Sequence, residues 1–238
     1  MTGEPWFSRW FGEEYLRLYP HRDMGEARDA VALLTGRVRF SGPVLDLACG
    51  AGRHLRAFHD RGVSPIGLDL SPHLLERAKK RVPEASLVRG DMRHLPFPGE
   101  AFTVVSSFFT SFGYFEREGD DRRVLREIAR VLRPGGHLFL DFLNAPKVRA
   151  DLVPRDRRVV DGREVVQTRR LVDEGRRVEK TIRIDRDRTF TERVRLYDAR
   201  ELEALLVDAG LEPLERLGDY RGAPHTPDSP RTILLARH

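Results

Sequence analysis

The sequence predicts an α/β protein: a doubly wound, mostly parallel seven-stranded sheet with an inserted antiparallel β-sheet. Three observations predict it. From Val44 onward, short apolar runs alternate with amphipathic segments, the pattern of strands covered on both faces by crossover helices. The first run opens directly into a glycine turn, VLDLACGAGRHL, Val44 to Leu55. Residues 145–197 then change to period-two alternation, punctuated by the turn dipeptides Asp161-Gly162 and Glu174-Gly175.

In the first unit, Val44, Leu45 and Leu47 make the buried strand. Gly50 and Gly52 let the backbone turn tightly and approach a ligand with no Cβ in the way. A helix starting at about Arg53 turns its unpaired N–H groups toward whatever sits over the turn. Asp46 is the anomaly, because a carboxylate on a buried strand costs several kcal/mol unless it is partnered. It either caps the Gly50–Gly52 amides of its own loop or serves a ligand. A dinucleotide fingerprint needs a third glycine, G-x-G-x-x-G, where this chain carries Leu55. That weakens a nicotinamide oxidoreductase reading.

Two more acids follow at strand ends. Asp69 closes IGLDLS, Ile66 to Ser71, 17 residues beyond Gly52; an acid there hydrogen-bonds ribose hydroxyls. Asp91, in VRGDMRHLPF (Val88 to Phe97), closes the third strand and is placed to accept from an exocyclic amine. Three carboxylates at three successive strand ends are hard to explain as solvated surface.

At these residues the chain resembles the class I S-adenosylmethionine-dependent methyltransferases. The D-x-x-x-G-x-G turn (Asp46, Gly50, Gly52), Asp69, the G-D-M of Gly90, Asp91 and Met92, and RPGGHLFLDF (Arg133 to Phe142) come in the family's order. The resemblance spans roughly Tyr15 to Leu143 plus the final strand. Ala48 replaces a common glycine and is similar to the enzymes that dimethylate amino sugars. The resemblance implies a Rossmann-like methyltransferase fold and S-adenosylmethionine as cofactor. It implies Asp46, Ala48, Gly50 and Gly52 around the methionine and ribose, Asp69 on the ribose hydroxyls, Leu70 and Met92 on the adenine faces, and Asp91 on the adenine amine. It also implies an N-terminal lid whose Tyr15 and Arg22 bind the methionine carboxylate, and a small-molecule methyl acceptor.

Composition bounds the alternatives. At 238 residues the chain fits one domain with a small elaboration. It has no run of eighteen apolar residues and no apolar core near its start of the kind a signal peptide needs. Cys49 is the only cysteine, so no disulfide forms within the chain and a cytoplasmic location is expected. Within the turn Cys49 reads as a packing residue rather than a nucleophile. The net charge of +5 suggests nucleic acid. However, 42 basic residues are interleaved with 37 acidic ones. An RNA-associated methyltransferase or a non-catalytic S-adenosylmethionine-binding protein is therefore the rival reading. Only four of the basic residues are lysine, and Asn144 and Gln167 are the only side-chain amides. Charge-rich, amide-poor chains suggest a thermophile, although a GC-rich genome also favours arginine. No metal is expected, and the chain is read as a monomer or a homodimer.

In chain order, residues 1–36 form a helical lid region, with one aromatic helix over 5–20 and an amphipathic helix over 23–36. The aromatic stripe either staples the segment to the domain or covers the ligand with Tyr15, Tyr19 and Arg22 facing in. Residues 1–144 and 198–238 make the cofactor domain, and 145–197 a curved sheet covering the substrate or a dimer surface. Helices are expected at Arg53–Arg61, at Pro72–Arg81 behind the Ser71 N-cap, at Asp120–Leu132, and at Ala199–Ala209 behind Asp198. Strands are expected at Ser64–Leu70, Ser86–Val88, from Phe102, and at His137–Leu143, Leu211–Leu217 and Arg231–Ala236. In the inserted sheet, Val178, Lys180, Ile182 and Ile184 share one face, and Phe190, Glu192, Val194 and Leu196 another.

The segment FTVVSSFFTSFGYF, Phe102 to Phe115, runs out of a strand into an aromatic loop bearing hydroxyls. Ligands in doubly wound sheets bind beyond the carboxyl ends of the strands. Ser107 and Phe108 are thus expected on the floor between cofactor and acceptor. TSFGYF resembles the loop of small-molecule methyltransferases, not the N/D-P-P-Y/F loop of base methylation. Tyr19, Tyr114 and Asp141 are the candidate proton acceptors, with His54 and His137 as weaker ones and His225 a solvated loop residue.

Overall fold

The computed structural model describes residues 5–19, 24–185 and 188–238. Its main sheet has seven strands: β1 (Val44–Leu47), β2 (Ile66–Asp69), β3 (Ser86–Arg89), β4 (Phe102–Ser107), β5 (Leu132–Leu143), β10 (Glu212–Leu217) and β11 (Arg231–Arg237). They lie in the order β10-β11-β5-β4-β1-β2-β3. All pairs are parallel except those of β11, which runs antiparallel to both β5 and β10. The order reverses at β1, so β1 and β4 frame the switch point beyond which ligands bind.

Alternation along each strand splits the core into two layers. Val44, Val104, Phe139 and Ile233 pack with α3 (Met24–Arg37) and α4 (Arg53–His59). Leu45, Val105, Leu138 and Leu234 face the other way, onto α6 (Glu118–Val131) and α8 (Ala199–Asp208). The remaining crossover helix, α5 (Pro72–Arg81), begins where expected: Ser71 Oγ accepts from the Leu74 amide, with proline in the first turn. A capping box of Asp198 and Glu201 starts α8. β5 begins earlier than the sequence suggested. Its Pro134-Gly135-Gly136 turn is a register shift within the strand, with Gly135 at φ 77°.

After β5 comes a short helix, α7 (Ala145–Ala150), which the alternation did not announce. Then β6 (Arg155–Val160), β7 (Arg163–Val172), β8 (Arg177–Ile184) and β9 (Arg188–Arg195) form a separate antiparallel sheet in sequence order. Lys180 pairs with Glu192, Ile182 with Phe190 and Val178 with Val194. Directly opposed residues point to the same side, so the two sets assigned to separate faces share one.

The N-terminal segment is two helices rather than one, α1 (Trp6–Trp10) and α2 (Glu13–Leu18), broken at Phe11-Gly12. Its aromatic stripe buries against the inserted sheet. Trp10, Tyr15 and Leu18 cluster with Val165, Ile182 and Ile184, and Trp10 and Phe190 ring centroids lie 4.7 Å apart. Each large apolar side chain fully buried this way contributes about 1.5–3 kcal/mol. Glu14 adds ion pairs to Arg163 (2.9 Å) and Arg188. Ser71 Oγ donates to the Phe11 carbonyl at 2.6 Å, tying the same segment to the start of α5.

Candidate active site

Beyond the carboxyl ends of β1, β2 and β4 lies a cavity of about 840 Å³. The loop after β1 gives it Ala48, Cys49 and Gly50. Three of five residues in this loop have left-handed backbone: Ala48 at φ 57°, Gly50 at 55° and Gly52 at 77°. Glycine takes this conformation without strain, whereas alanine costs about 1–2 kcal/mol. Ala48→Gly is therefore expected to raise the melting temperature by about 2–4 °C per kcal/mol recovered, read by scanning calorimetry. An unchanged or lower value would show that the methyl makes contacts worth more than its strain.

A Cβ on Gly52 would sit 3.0 Å from Ala78 Cβ, so the turn also lets α5 come close. Leu55, in the place of the fingerprint's third glycine, packs against β2 instead. A Cβ on Gly67 would meet Leu55 Cδ1 at 2.9 Å and Cys49 Sγ at 2.8 Å. The small residue of this contact has moved from helix to strand. Cys49 is buried there, and that burial pushes its thiol well above the usual range, as suits a packing residue.

Asp69, not Asp46, holds the glycine turn. Its Oδ2 accepts from the Gly50 amide at 2.9 Å and its Oδ1 from the Ser71 amide at 2.8 Å. Burial raises its pKa, and the Ser71, Gly50 and Leu70 amides pull it back in part. Asp69 still lines the cavity. Asp46 is 1% exposed; its Oδ1 accepts from Ser106 Oγ at 3.5 Å and its Oδ2 has no partner. Burial pushes its carboxyl up to about 8. Of the two readings of Asp46, the cap of its own loop does not form, because Asp69 takes the Gly50 amide.

Leu70, Gly90, Asp91 and Met92 line the far end of the cavity. Arg93 forks onto Asp91, with Nη2 2.7 Å from Oδ2, and also stacks over Phe115. Burial opposes ionisation of Asp91, but the Arg93 hydrogen bonds outweigh it and hold the carboxyl below its usual range. Phe108 lies stacked on His54, ring centroids 4.2 Å apart, and both line the cavity. The N-terminal segment contributes Phe11, Tyr15 and Tyr19 to the lining. Arg22 lies outside the described residues. Ser107 and Gly52 are close in sequence to the cavity but do not line it.

A second cavity of about 720 Å³ lies beneath the inserted sheet. β7, β8 and β9 give it Arg169, Val178, Lys180, Glu192 and Val194, and α7 gives it Lys147 and Val148. Phe11, Phe109 and Tyr114 line both cavities and so form the wall between them. Of the three candidate proton acceptors, Tyr114 alone stands at this wall. Tyr19 lines the first cavity only, where its hydroxyl is bonded by Lys180 Nζ. Burial, with Glu192 adding to it, raises the Tyr19 pKa, so the phenol stays protonated near neutrality. Asp141 reaches neither cavity. It is completely buried, and both its oxygens are engaged by Phe109, Tyr220 and Arg231. His137 pairs in register with Val104, in the amino half of β4 and away from the strand ends that frame the cavity. His225 is not a solvated loop residue: its Nε2 lies 3.0 Å from Thr232 Oγ1 and 3.2 Å from Asn144 Oδ1.

Against known proteins, a family model described as a methyltransferase domain matches residues 44–136, the span holding the glycine turn and all three strand-end acids. Over nearly its whole length the chain also superposes on DesVI of Streptomyces venezuelae, with 28% identity, a TM-score of 0.65 and 94% of each chain covered. The chain carries a methyltransferase domain. The methyltransferase CcbJ of Streptomyces caelestis shares the fold at a TM-score of 0.82, covering 96% of this chain and 97% of that one at 20% identity. Among curated family members, the dTDP-3-amino-3,4,6-trideoxy-alpha-D-glucopyranose N,N-dimethyltransferase of Streptomyces venezuelae is 36% identical over 141 residues. That alignment covers 57% of this chain and 59% of the relative. The chain spans about half the length of the curated family members it matches.

The sequence pointed to the glycine turn and the strand-end residues of the first cavity and to Tyr114 of the wall, but not to Phe11 and Phe109 of the wall or to the second chamber. Phe109 sits in the aromatic loop that was singled out, yet only its position between two cavities distinguishes it from Phe108. Lys180 and Glu192 reach the site through β8–β9 pairing across a sheet remote from the glycine turn. No local pattern announces that.

Proposed function

We propose that this protein transfers a methyl group from S-adenosylmethionine to a small-molecule amine, with an amino sugar the leading acceptor class. The observation that carries this reading is the pair of adjoining cavities: one walled by the loop after β1 with Asp69 and Asp91, the other roofed by the inserted sheet, and both bounded by Phe11, Phe109 and Tyr114. Three of the curated relatives are N,N-dimethyltransferases of dTDP-linked amino sugars, which supports the acceptor class.

The residues present fit the cofactor. Asp69 and Asp91 offer carboxylates and Leu70 and Met92 apolar faces to the cavity, and Asp46, which does not line it, carries a buried oxygen without a partner at the end of β1. We assign the ribose hydroxyls to Asp69, the adenine to Leu70, Asp91 and Met92, and the methionine ammonium to Asp46. Tyr15 is assigned to the methionine end. When bound, the sulfonium supplies the activated carbon for an in-line displacement. The chain's task is to hold donor and acceptor about 3–3.5 Å apart and aligned. The wall residues are placed to do so, with the Tyr114 hydroxyl as the group that contacts the acceptor. A neutral amine brings its own lone pair, and its proton is lost after transfer.

Small molecules are favoured over RNA because most of the inserted sheet's arginines are paired with acids. Arg169 pairs with Asp156, Arg170 with Glu179, and Arg163 with Glu14. We place the protein in the cytoplasm of a thermophile on its charge-rich, amide-poor composition and single cysteine.

Calorimetric titration with S-adenosylmethionine, S-adenosylhomocysteine and NAD tests the cofactor assignment. Micromolar binding of both sulfur compounds and none of NAD is expected. No binding of either sulfur compound would overturn the reading. Transfer of labelled methyl to a dTDP-3-amino sugar, against RNA as control, tests the acceptor class.

A further inference from the structure

Phe109 and Thr110, at the start of the loop that divides the two cavities, both have left-handed backbone, φ 56° and 63°. Neither is glycine, and two consecutive strained residues persist only where their surroundings over-determine them. The surroundings here converge on one side chain. Asp141 Oδ2 accepts from the Phe109 amide at 2.7 Å and from the Tyr220 hydroxyl at 2.6 Å. Its Oδ1 accepts from Arg231 Nε at 2.7 Å, and its main-chain carbonyl accepts from the Thr110 amide at 3.0 Å. Arg231 then reaches on to Thr110 Oγ1 at 3.1 Å. The Phe109 ring is held as well: Arg53 Cζ lies 4.3 Å and Arg231 Cζ 5.1 Å from its centroid.

We propose that Asp141, with Arg231 and Tyr220, is a positioning device that locks the Phe109–Thr110 turn and thereby fixes the wall between the two cavities. Arg231 is buried against Asp141 and also lines the second cavity, so the clamp reaches the chamber itself. The wall fixes how far the Phe109 and Tyr114 side chains project into each chamber, and so the separation at which two occupants meet. The acid at this place in β5 is fully bonded and so is not placed to shuttle protons. Its four contacts explain why it is buried at the carboxyl end of a strand. That the wall sets a transfer geometry rests on the methyltransferase reading; the lock itself does not.

Glycine gives the discriminating test, because it adopts φ near 60° without a clamp. The chain has two tryptophans, Trp6 and Trp10, and Trp6 Nε1 donates to the Tyr114 carbonyl at 3.3 Å. In a Trp10→Phe background, Trp6 fluorescence of the ligand-free protein reports on the wall. Asp141→Asn is expected to shift the Trp6 emission and raise its acrylamide quenching at least twofold at a temperature where the chain is folded. Adding Thr110→Gly should return at least half of that change. An Asp141→Asn signal equal to that of the parent overturns the proposal. So does a change that Thr110→Gly leaves intact, which is what a merely structural role predicts. If Asp141→Asn does not fold, Tyr220→Phe, which removes one of the bonds, carries the same comparison with smaller amplitude. S-adenosylhomocysteine titrated into the parent protein reads the cofactor assignment separately, so the two failures are distinguishable.

Discussion

Replacing Asp69 with alanine is expected to weaken S-adenosylhomocysteine binding by about a hundredfold or more. Sequence reasoning alone, counting one charge-assisted hydrogen bond to a ribose hydroxyl at about 1.5–3 kcal/mol, gives tenfold or more. The structure raises that figure because the same carboxylate carries a second load. It accepts from the Gly50 and Ser71 amides and so shapes the turn on which the cofactor would lie. Losing it removes ligand contacts and leaves the Gly50 amide without its partner. Asp69→Asn retains an acceptor for one of the two amides and should fall between alanine and the parent. Calorimetric titration measures both variants. An alanine variant that binds as tightly as the parent would remove Asp69 from the site.

Asp46 should make cofactor binding release a proton. Without ligand its carboxyl is raised to about 8, chiefly by burial, so at pH 7 it is mostly protonated. An ammonium brought to its unpartnered oxygen favours the charged form and expels that proton. Titrations of S-adenosylhomocysteine at pH 7 in phosphate and in Tris should differ in apparent enthalpy by an amount approaching one proton per ligand. In Asp46→Asn the difference should vanish. Equal enthalpies in the parent would show that Asp46 does not ionise on binding. The same group predicts the ligand-free stability profile. Its folded pKa lies above its ordinary value of 3.8, so the native state binds the extra proton and the stabilisation is complete below about pH 4. That stabilisation is lost as pH rises through about 8. Asp46→Asn stays neutral throughout, so its melting temperature should fall less than the parent's between pH 5 and 9. The gap at pH 9 should be on the order of several kcal/mol.

Much of the cofactor side was legible in the chain because its determinants are local. The Val44–Leu55 unit, the strand-end acids and the Ser71-Pro72 start of α5 each declare themselves within a dozen residues. The inserted sheet was legible as alternation, but its facing was not. Whether Phe190, Glu192 and Val194 share a side with Ile182, Lys180 and Val178 depends on the register across the β8–β9 turn, and a one-residue slip reverses it. Asp141 shows the opposite limit. An acid near the end of β5 fits a base by position, yet its role is decided by Tyr220 and Arg231, some 80–90 residues away in the chain. The cap of the glycine turn was left open between readings for a similar reason, since only the packed turn determines that Asp69 rather than Asp46 meets the Gly50 amide.

Phe11 belongs to the partition, and its carbonyl is tied to Ser71 on the cofactor side while its neighbours Trp10 and Glu14 are bound to the inserted sheet. The two chambers therefore share this stretch of wall. Displacing it to let one occupant escape would also disturb the enclosure of the other, which would link their residence times in the proposed reaction. The slower-leaving occupant would set the turnover clock for both.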